Sequence, residues 1–264
     1  MALSKQKIKY IQSLKIKKQR QKYGNFIVEG DKMALELLAN SRFFIENIIA
    51  LETWIEEHKL LLKPHLNKIL TATENDIKQI SNLSTPNKVF IIAQYPILDI
   101  SVGIPMGKDS MEQQSSDLMA NNFTLFLDGI QDPGNMGTIL RIADWFSIPY
   151  VFCSETCVDV WNPKVIQASM GAFLRVHTQE IAFEQLKNKF PKLPVFAAIL
   201  RGGNIFEKTY PKHGIIVIGN EGSGVSDFIL NQTNFKISIP GGGGAESLNA
   251  AVATGIVCAV LKNR

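Results

Sequence analysis

The chain has 264 residues, of which 45% are hydrophobic and 20% charged, and it carries three cysteines, four histidines and a formal net charge of +4. This composition excludes a disordered chain, which lacks the apolar residues for a core, and a disulfide framework, which three cysteines cannot build. The longest apolar stretch, Leu248 to Leu261, is too short to span a bilayer, and no basic-plus-apolar leader opens the chain, so a reduced cytoplasmic protein with no membrane partner is expected.

Taken in chain order, the charge is concentrated at the start. Residues 1–100 hold 15 Lys and Arg against 10 Asp and Glu, whereas residues 101–264 hold 13 against 14. The opening stretch "SKQKIKYIQSLKIKKQRQKYGNFIVEG" places Lys5, Lys7, Lys9, Lys15, Lys17, Lys18, Arg20 and Lys22 before the first acid, Glu29. A helix here would put Lys15, Lys18 and Lys22 on one face and Ile8, Ile11 and Leu14 on an apolar one. Such a segment is either a solvated helix face or a surface for a polyanion. RNA or DNA is the favoured partner, with Lys15, Lys18, Arg20 and Lys22 as the expected phosphate contacts. Tyr10 and Tyr23 offer rings on which bases stack.

A small α/β unit follows over residues 1–100. Its expected elements are a strand in "FFIENIIAL", a helix in "WIEEHKLLLKPHLNKIL" broken at Pro64, and a strand in "KVFIIAQY". Residues 101–121, including the polar "GKDSMEQQSSDLMAN", lack any apolar period and are expected to be a linker. Over residues 122–264 the apolar runs "FTLFLDGI", "YVFC", "VFAAIL", "IIVIG" and "FKISI" alternate with helical segments. That alternation predicts a mostly parallel sheet covered by helices.

Glycine-bearing segments follow four of these runs: "QDPGNMG", "RGGN", "NEGSG" and "PGGGG". Read as loops past strand carboxyl ends, they mark the edge at which open α/β sheets bind small molecules. No phosphate-gripping G-x-x-x-x-G-K-[ST] is present, and Glu221 replaces the first glycine of a G-x-S-x-G nucleophile elbow around Ser223. Cys153 and Cys157 are spaced C-x-x-x-C with no partner cluster, so no metal is expected. Asn135 is a candidate cap for the helix after the first loop. Arg141 then falls within the apolar run "TILRIADWF", where an ion pair with Asp144 is the structural alternative to a role in chemistry.

Three ordered motifs resemble those of the SpoU or TrmH family of knotted RNA ribose 2′-O-methyltransferases. "DPGNMGTILRIADWF", with Asn135, Gly137 and Arg141, is similar to the first, and "IGNEGSGVS", with Gly219, Glu221 and Gly224, to the second. "IPGGGGAESLNAAVA", with Ile239, Pro240, Gly243, Ser247, Leu248 and Asn249, is similar to the third, and "NPKVIQASMGAFLRV" also has a family counterpart. The resemblance covers roughly residues 122 to 262. The basic first unit is similar, more loosely, to a ribosomal-protein-like substrate domain.

The resemblance implies a deep trefoil knot in the second unit and S-adenosylmethionine as cofactor. It implies cofactor contacts at Gly219, Ile239 and Leu248, with the glycine run as a wall of the cofactor site. It also implies catalytic roles for Asn135, Arg141, Glu221, Ser247 and Asn249, and a homodimer in which Arg141 and the cofactor belong to different chains. Ribosomal RNA, of the large subunit, is favoured over transfer RNA. Transfer RNA ribose methylation, base methylation and a cofactor-free RNA-binding assembly factor are the alternatives. Two positions depart from the family pattern: Gly241 stands where Met or another bulky residue is usual, and Ser147 where a glycine usually ends the first motif's helix.

Overall fold

The structure, a computed structural model, describes residues 2–40, 42–96 and 121–263. The linker expected over residues 101–121 lies, apart from Asn121, outside the described residues. Contacts divide the chain into two units. Met1–Ile97 together with Trp161–Leu174 form the first, and Leu98–Val160 with Arg175–Arg264 the second. Trp161–Leu174 therefore leaves the second unit's run of sequence to pack in the first, where Trp161 and Phe173 join an aromatic cluster with Phe26, Phe43 and Tyr95.

The first unit holds a four-stranded sheet of β1 (Asn25–Glu29), β2 (Ile45–Leu51), β3 (Ile69–Ala72) and β4 (Val89–Gln94), in the order β1-β4-β2-β3. β4 is antiparallel to both its neighbours, while β2 and β3 run parallel. The basic opening is two helices rather than one, α1 (Lys5–Ser13) and α2 (Lys17–Tyr23). Ile8, Ile11 and Leu14 are buried as expected, against Ile27, Ile49 and Phe90 of the sheet and Ile77 and Ile80 beside it. Further along come α3 (Asp31–Leu38), α4 (Glu52–Glu57) and α5 (Lys59–Leu62), a 3-10 turn over Lys63–Lys68, and α6 (Glu74–Ile80). The helical segment expected to break at Pro64 does so: α5 ends at Leu62, and the proline lies in the 3-10 turn. Its last residues, Ile69 and Leu70, are strand β3, paired with Ile48 and Ile49.

The second unit is a six-stranded, all-parallel sheet. Its strands are β5 (Phe123–Asp128), β6 (Tyr150–Cys153), β7 (His177–Glu180), β8 (Val195–Asn204), β9 (Gly214–Gly219) and β10 (Phe235–Ser238), in the order β10-β8-β9-β5-β6-β7. The helices are α7 (Pro133–Trp145), α9 (Phe183–Lys189), α10 (Asp227–Leu230) and α11 (Ala250–Asn263), with α8 (Pro163–Ser169) in the first unit. One core cluster packs Phe183 and Leu186 of α9 and Ile229 of α10 on Phe126, Phe152, Val195 and Val217 of the sheet. From β5 the chain proceeds outward through β6 to β7, then crosses to β8 on the other side, so the order reverses between β5 and β9. Loops that leave two such strands diverge and open a crevice between them.

One expected loop is absent. "RGGN" continues β8, which pairs with β10 through a register shift between Lys236 and Ile237. A Cβ at Gly202 would stand 2.8 Å from the backbone of Lys236 and Ile237, so that glycine serves strand approach rather than a ligand.

Candidate active site

The crevice between β5 and β9 is built by backbone turns that side chains hold closed. The loop after β9 doubles back through paired hydrogen bonds between Asn220 and Gly224, each 3.0 Å. A Cβ on Gly219 would collide with the backbone of Gly224 and Val225, so only glycine fits there. Asn220 fixes the turn. Its Oδ1 accepts from the N–H of Gly222 at 2.8 Å and of Ser223 at 3.0 Å, and its Nδ2 donates to Gly129 O at 2.7 Å. Asp128, at the end of β5, accepts from Ser226 N at 2.8 Å and ties the far side of the turn to the same strand. Asp128, Gly129, Gln131, Asn220 and Ser223 contribute to the lining of an open, polar cavity of about 510 Å³.

The first glycine-bearing loop enters α7 with Asp132 as its cap, accepting from Asn135 N at 2.8 Å. The cap expected at Asn135 is thus one turn too late. Asp132 is as good a cap residue and stands first, and Asn135 is left with its whole side chain free for other partners. Those partners come from far away in sequence. Asn249 Nδ2 donates to Asn135 Oδ1 at 2.8 Å, and Asn135 Nδ2 donates to Glu221 Oε1 at 2.8 Å.

The direction of this relay follows from its ends. Asn249 Oδ1 accepts from Ala251 N at 2.9 Å and Val252 N at 3.2 Å at the head of α11, so its amide nitrogen must face Asn135. An ionised Glu221 only accepts, so Asn135 must present its nitrogen to it. One chain of hydrogen bonds therefore aims a carboxylate from the loop after β9, using the starts of α7 and α11.

Arg141 stands elsewhere. Six positions beyond Asn135 on α7, it faces about 120° away around the helix, and it is exposed. No hydrogen bond or ion pair engages it among the described residues. Asp144, its alternative partner, is held in a two-pronged pair with Arg175 at 2.8 and 3.0 Å. Thr138 and Trp145 share the exposed face of Arg141, and Trp145 is 84% exposed. Ile142 faces Gly255 of α11 instead.

The third motif is open. Gly241 to Gly244 and Ser247 are exposed, a Cβ on any of those four glycines would meet nothing within 4 Å, and Leu248 is 48% exposed. Ile239 is half-buried. The structure thus brings Asn135, Glu221 and Asn249 together and leaves Arg141, Ser247 and Leu248 outside their hydrogen-bonded chain. Asp132, Asp128 and Asn220 hold the loops but were not singled out by the sequence. Of these, Asp132 opens the quoted first motif and Asn220 lies inside the second. Among the described residues, no group of three or more His, Cys, Asp or Glu is arranged to hold a metal ion, and no helix is long and apolar enough to cross a membrane.

Residues 122–259 match the family model described as the SpoU rRNA Methylase family. The chain belongs to that family. Residues 5–91 of this SpoU-family methylase match a second model, the MRM3-like substrate binding domain. The methylase is 25% identical over 262 residues to the Bacillus subtilis 23S rRNA (guanosine(2553)-2'-O)-methyltransferase RlmP, covering 96% of this chain and 94% of that protein. A solved structure from Porphyromonas gingivalis, assigned to the TrmH family of RNA methyltransferases, is 33% identical over 99% of this chain and 98% of its own, with a TM-score of 0.81. The AdoMet complex of the SpoU methyltransferase AviRb from Streptomyces viridochromogenes shares the fold, with a TM-score of 0.80 at 19% identity over 98% of this chain and 97% of its own.

In the first unit of this SpoU-family methylase, the expected phosphate contacts divide. Lys18 and Lys22 are exposed on α2. Lys15 lies in the break between the helices and is half-buried, with Nζ donating to Ser81 O at 3.2 Å. Burial holds its pKa below the usual lysine value, against the pull of Glu29. Arg20 has to be withdrawn from the RNA-contacting set. It is 1% exposed, and its Nη1 donates to Leu14 O and Lys15 O, both at 2.9 Å. Its charge closes the carboxyl end of α1, where helix carbonyls lack partners.

Proposed function

We propose that the protein transfers the methyl group of S-adenosylmethionine to a ribose 2′-hydroxyl of ribosomal RNA, in the large subunit. The observation that carries this reading is the Asn249–Asn135–Glu221 relay, which joins the three motifs at the reversal point of the sheet. The residues present fit the cofactor. Open backbone at Gly241–Gly244, the half-exposed Leu248, Ile239 and the tight turn at Gly219 suit a ligand held by main-chain groups and apolar contact.

When bound, S-adenosylmethionine supplies a methyl group already activated by its sulfonium. The chain's own residues must align the hydroxyl, exclude water and receive a proton. Glu221, aimed by Asn135, accepts a hydrogen bond from the ribose hydroxyl and orients it. Arg141 clamps the target phosphate, because a guanidinium keeps its charge and its planar fork of donors suits phosphate. Ser247 and Asn249 support the third loop.

Arg141 faces away from the relay of its own chain, which favours a homodimer in which it serves the partner's site. Exposed apolar residues on the two packed helices, Trp145 of α7 and Val252 of α11, are available for that contact. The all-parallel sheet, with α11 packed on α7 and β9, supports the family's trefoil knot. Exposed Lys18 and Lys22 dock the RNA.

Radiolabelled methyl transfer to unmodified ribosomal and transfer RNA, with nuclease mapping, tests the reading. Label on a ribose of large-subunit RNA is expected. Label on a base or on transfer RNA would redirect the substrate assignment, and no label on any RNA would refute methyl transfer.

A further inference from the structure

One end of the first unit's sheet carries aromatic and acidic groups that the function proposed above leaves unused. Tyr23 leads into β1 and Phe44 into β2, and the end of β4 lies between those two strand starts. The ladder runs on past both starts: Tyr95 N donates to Gly24 O at 2.7 Å, and Gln94 N to Phe44 O at 2.9 Å. A register shift between Ile45 and Asn47 makes Glu46 an extra residue in β2. Such a bulge re-aims side chains. Here Glu46 and Asn47 both reach α1, Glu46 at Tyr10 and Asn47 at Lys7.

Glu46 is held from two sides. Tyr10 OH donates to its Oε1 at 3.3 Å and Asn25 Nδ2 donates to its Oε2, while Asn25 Nδ2 also donates to Tyr10 OH at 2.6 Å. Burial pushes the Tyr10 hydroxyl up to about 12, so it keeps its proton and its role as donor. Asn25 is 3% exposed, and its Oδ1 finds no partner among the described residues. A bare buried acceptor costs stability, which points to a carboxylate fixed for another purpose. Glu46 itself is only half-buried, and each of its oxygens has a lone pair to spare.

Two exposed rings stand near this carboxylate. Tyr23 meets Tyr10 edge-on, with centroids 5.0 Å apart, and Lys22 Nζ lies 5.2 Å from its own centroid. Phe44 is 57% exposed, with Lys68 Nζ 4.0 Å from its centroid. Phe43 beside it packs on Phe26, whose neighbour Ile27 faces α1, so alternation puts Phe44 on the α1 side with Glu46. Residues 1–24 hold no acid, so Glu46 reaches into a face otherwise supplied with lysines.

We propose that this sheet end binds unpaired RNA, stacking bases on Tyr23 and Phe44 and selecting guanine through Glu46. Every base has a face for a ring, so the two rings favour a single strand without choosing its sequence. The lysines meet its phosphates. A carboxylate repels phosphate, but it accepts from a base edge. Of the four RNA bases, only guanine sets two adjacent N–H donors, on N1 and N2, against two carboxylate oxygens. The subsite rests on the reading of RNA as substrate and adds what the first unit recognises in it.

The test is fluorescence anisotropy of the full chain, without cofactor, on a labelled uridine heptamer with one central guanine. Adenine and inosine replace that guanine in two further probes, and annealing to a complementary strand gives a duplex. Guanine is expected to bind about 5- to 150-fold tighter than adenine, with inosine, which lacks the 2-amino group, in between. Glu46→Gln should erase that preference. Tyr23→Ala and Phe44→Ala should each weaken the guanine probe by about 5- to 150-fold at an unchanged salt slope, with melting curves to show that each variant is folded.

A wild-type protein that binds the three single strands alike, or the duplex as tightly, would overturn the proposal. So would a guanine preference that survives Glu46→Gln, or Tyr23→Ala and Phe44→Ala proteins that bind as the wild type does. None of these measurements needs the cofactor, so the methyl-transfer reading fails separately. Ribosomal RNA methylated by a protein without these preferences removes the subsite alone, and the preferences stand where no methyl group is transferred.

Discussion

Arg20→Ala separates a structural charge from an RNA-binding one. The wild-type guanidinium is buried and gives two 2.9 Å hydrogen bonds to the carbonyls of Leu14 and Lys15. Hydrogen bonds to a charged group contribute roughly 1.5–3 kcal/mol each, and a buried acceptor left bare costs about as much. Removing the side chain should therefore destabilise the first unit by about 3–5 kcal/mol. For a unit of this size each kcal/mol moves the melting temperature by about 4–8 °C, so a drop of at least ~12 °C is expected.

The assay is thermal unfolding of the full chain, paired with RNA affinity at two salt concentrations. At a temperature where the variant is folded, its salt slope should match the wild type, because no phosphate contact has been lost. Lys18→Ala combined with Lys22→Ala should behave the opposite way, with melting unchanged and the salt slope shallower by about 1–2. An Arg20→Ala protein that melts like the wild type but binds RNA with a reduced salt slope would refute the reasoning.

Further outcomes follow from single positions. Asn135→Ala should cut methyl transfer by about 100-fold with little loss of stability, and Asn135→Asp should fare no better, since it faces Glu221 with a second carboxylate; near-normal rates in either would break the relay argument. Ser147 holds φ +52, a left-handed conformation that costs a non-glycine residue about 1 kcal/mol, so Ser147→Gly should raise the denaturant midpoint. Burial alone would raise the Asp76 carboxyl, but hydrogen bonds from Thr73 N at 2.9 Å, Thr73 Oγ1 at 2.8 Å and Leu3 N at 3.1 Å outweigh it and hold its pKa below the usual value. Because the folded value is depressed, this stability is present above the unfolded pKa of about 3.9 and lost as pH falls through the folded one. Asp76→Asn should therefore flatten the fall in stability between neutral pH and the acid range.

The sheet of the second unit was legible because buried parallel strands are continuous apolar runs, as in "IIVIG" and "FTLFLDGI". The edge strand β7, "HTQE", carries no such run and escaped notice. β8 was cut short because "RGGN" has the composition of a loop, although its glycines serve a close approach to β10. The break between α1 and α2 has neither glycine nor proline to announce it. Arg20 reaches back only five and six residues there, to close the carboxyl end of α1 at Lys15 O and Leu14 O. At the site, the motif order pointed to Asn135, Glu221 and Asn249. Their relay depends on which of Asp132 and Asn135 caps α7, a competition that local preference cannot decide.

The glycine run distinguishes what the fold requires from what a ligand requires. At Gly219 the protein's own backbone excludes a side chain, so Gly219→Ala should unfold the turn. At Gly241 to Gly244 nothing in the chain does. None of these residues has a positive φ, and all have open space around the position of a Cβ. Gly243→Ala should then stabilise the unbound protein slightly, by about 0.4–1 kcal/mol, because it restricts the unfolded chain. If S-adenosylmethionine approaches the backbone at the glycine of the third motif, the same substitution should weaken cofactor binding by about 1–3 kcal/mol, the cost of overpacking a fitted contact, or roughly 5- to 150-fold. Gly241→Met, at a position where the family pattern carries a bulky residue, should leave cofactor affinity intact. Calorimetric titration of both variants beside their melting curves decides the matter. Equal affinity in Gly243→Ala and wild type would mean that the cofactor does not touch this loop, and the wall assigned to it would have to be sought elsewhere.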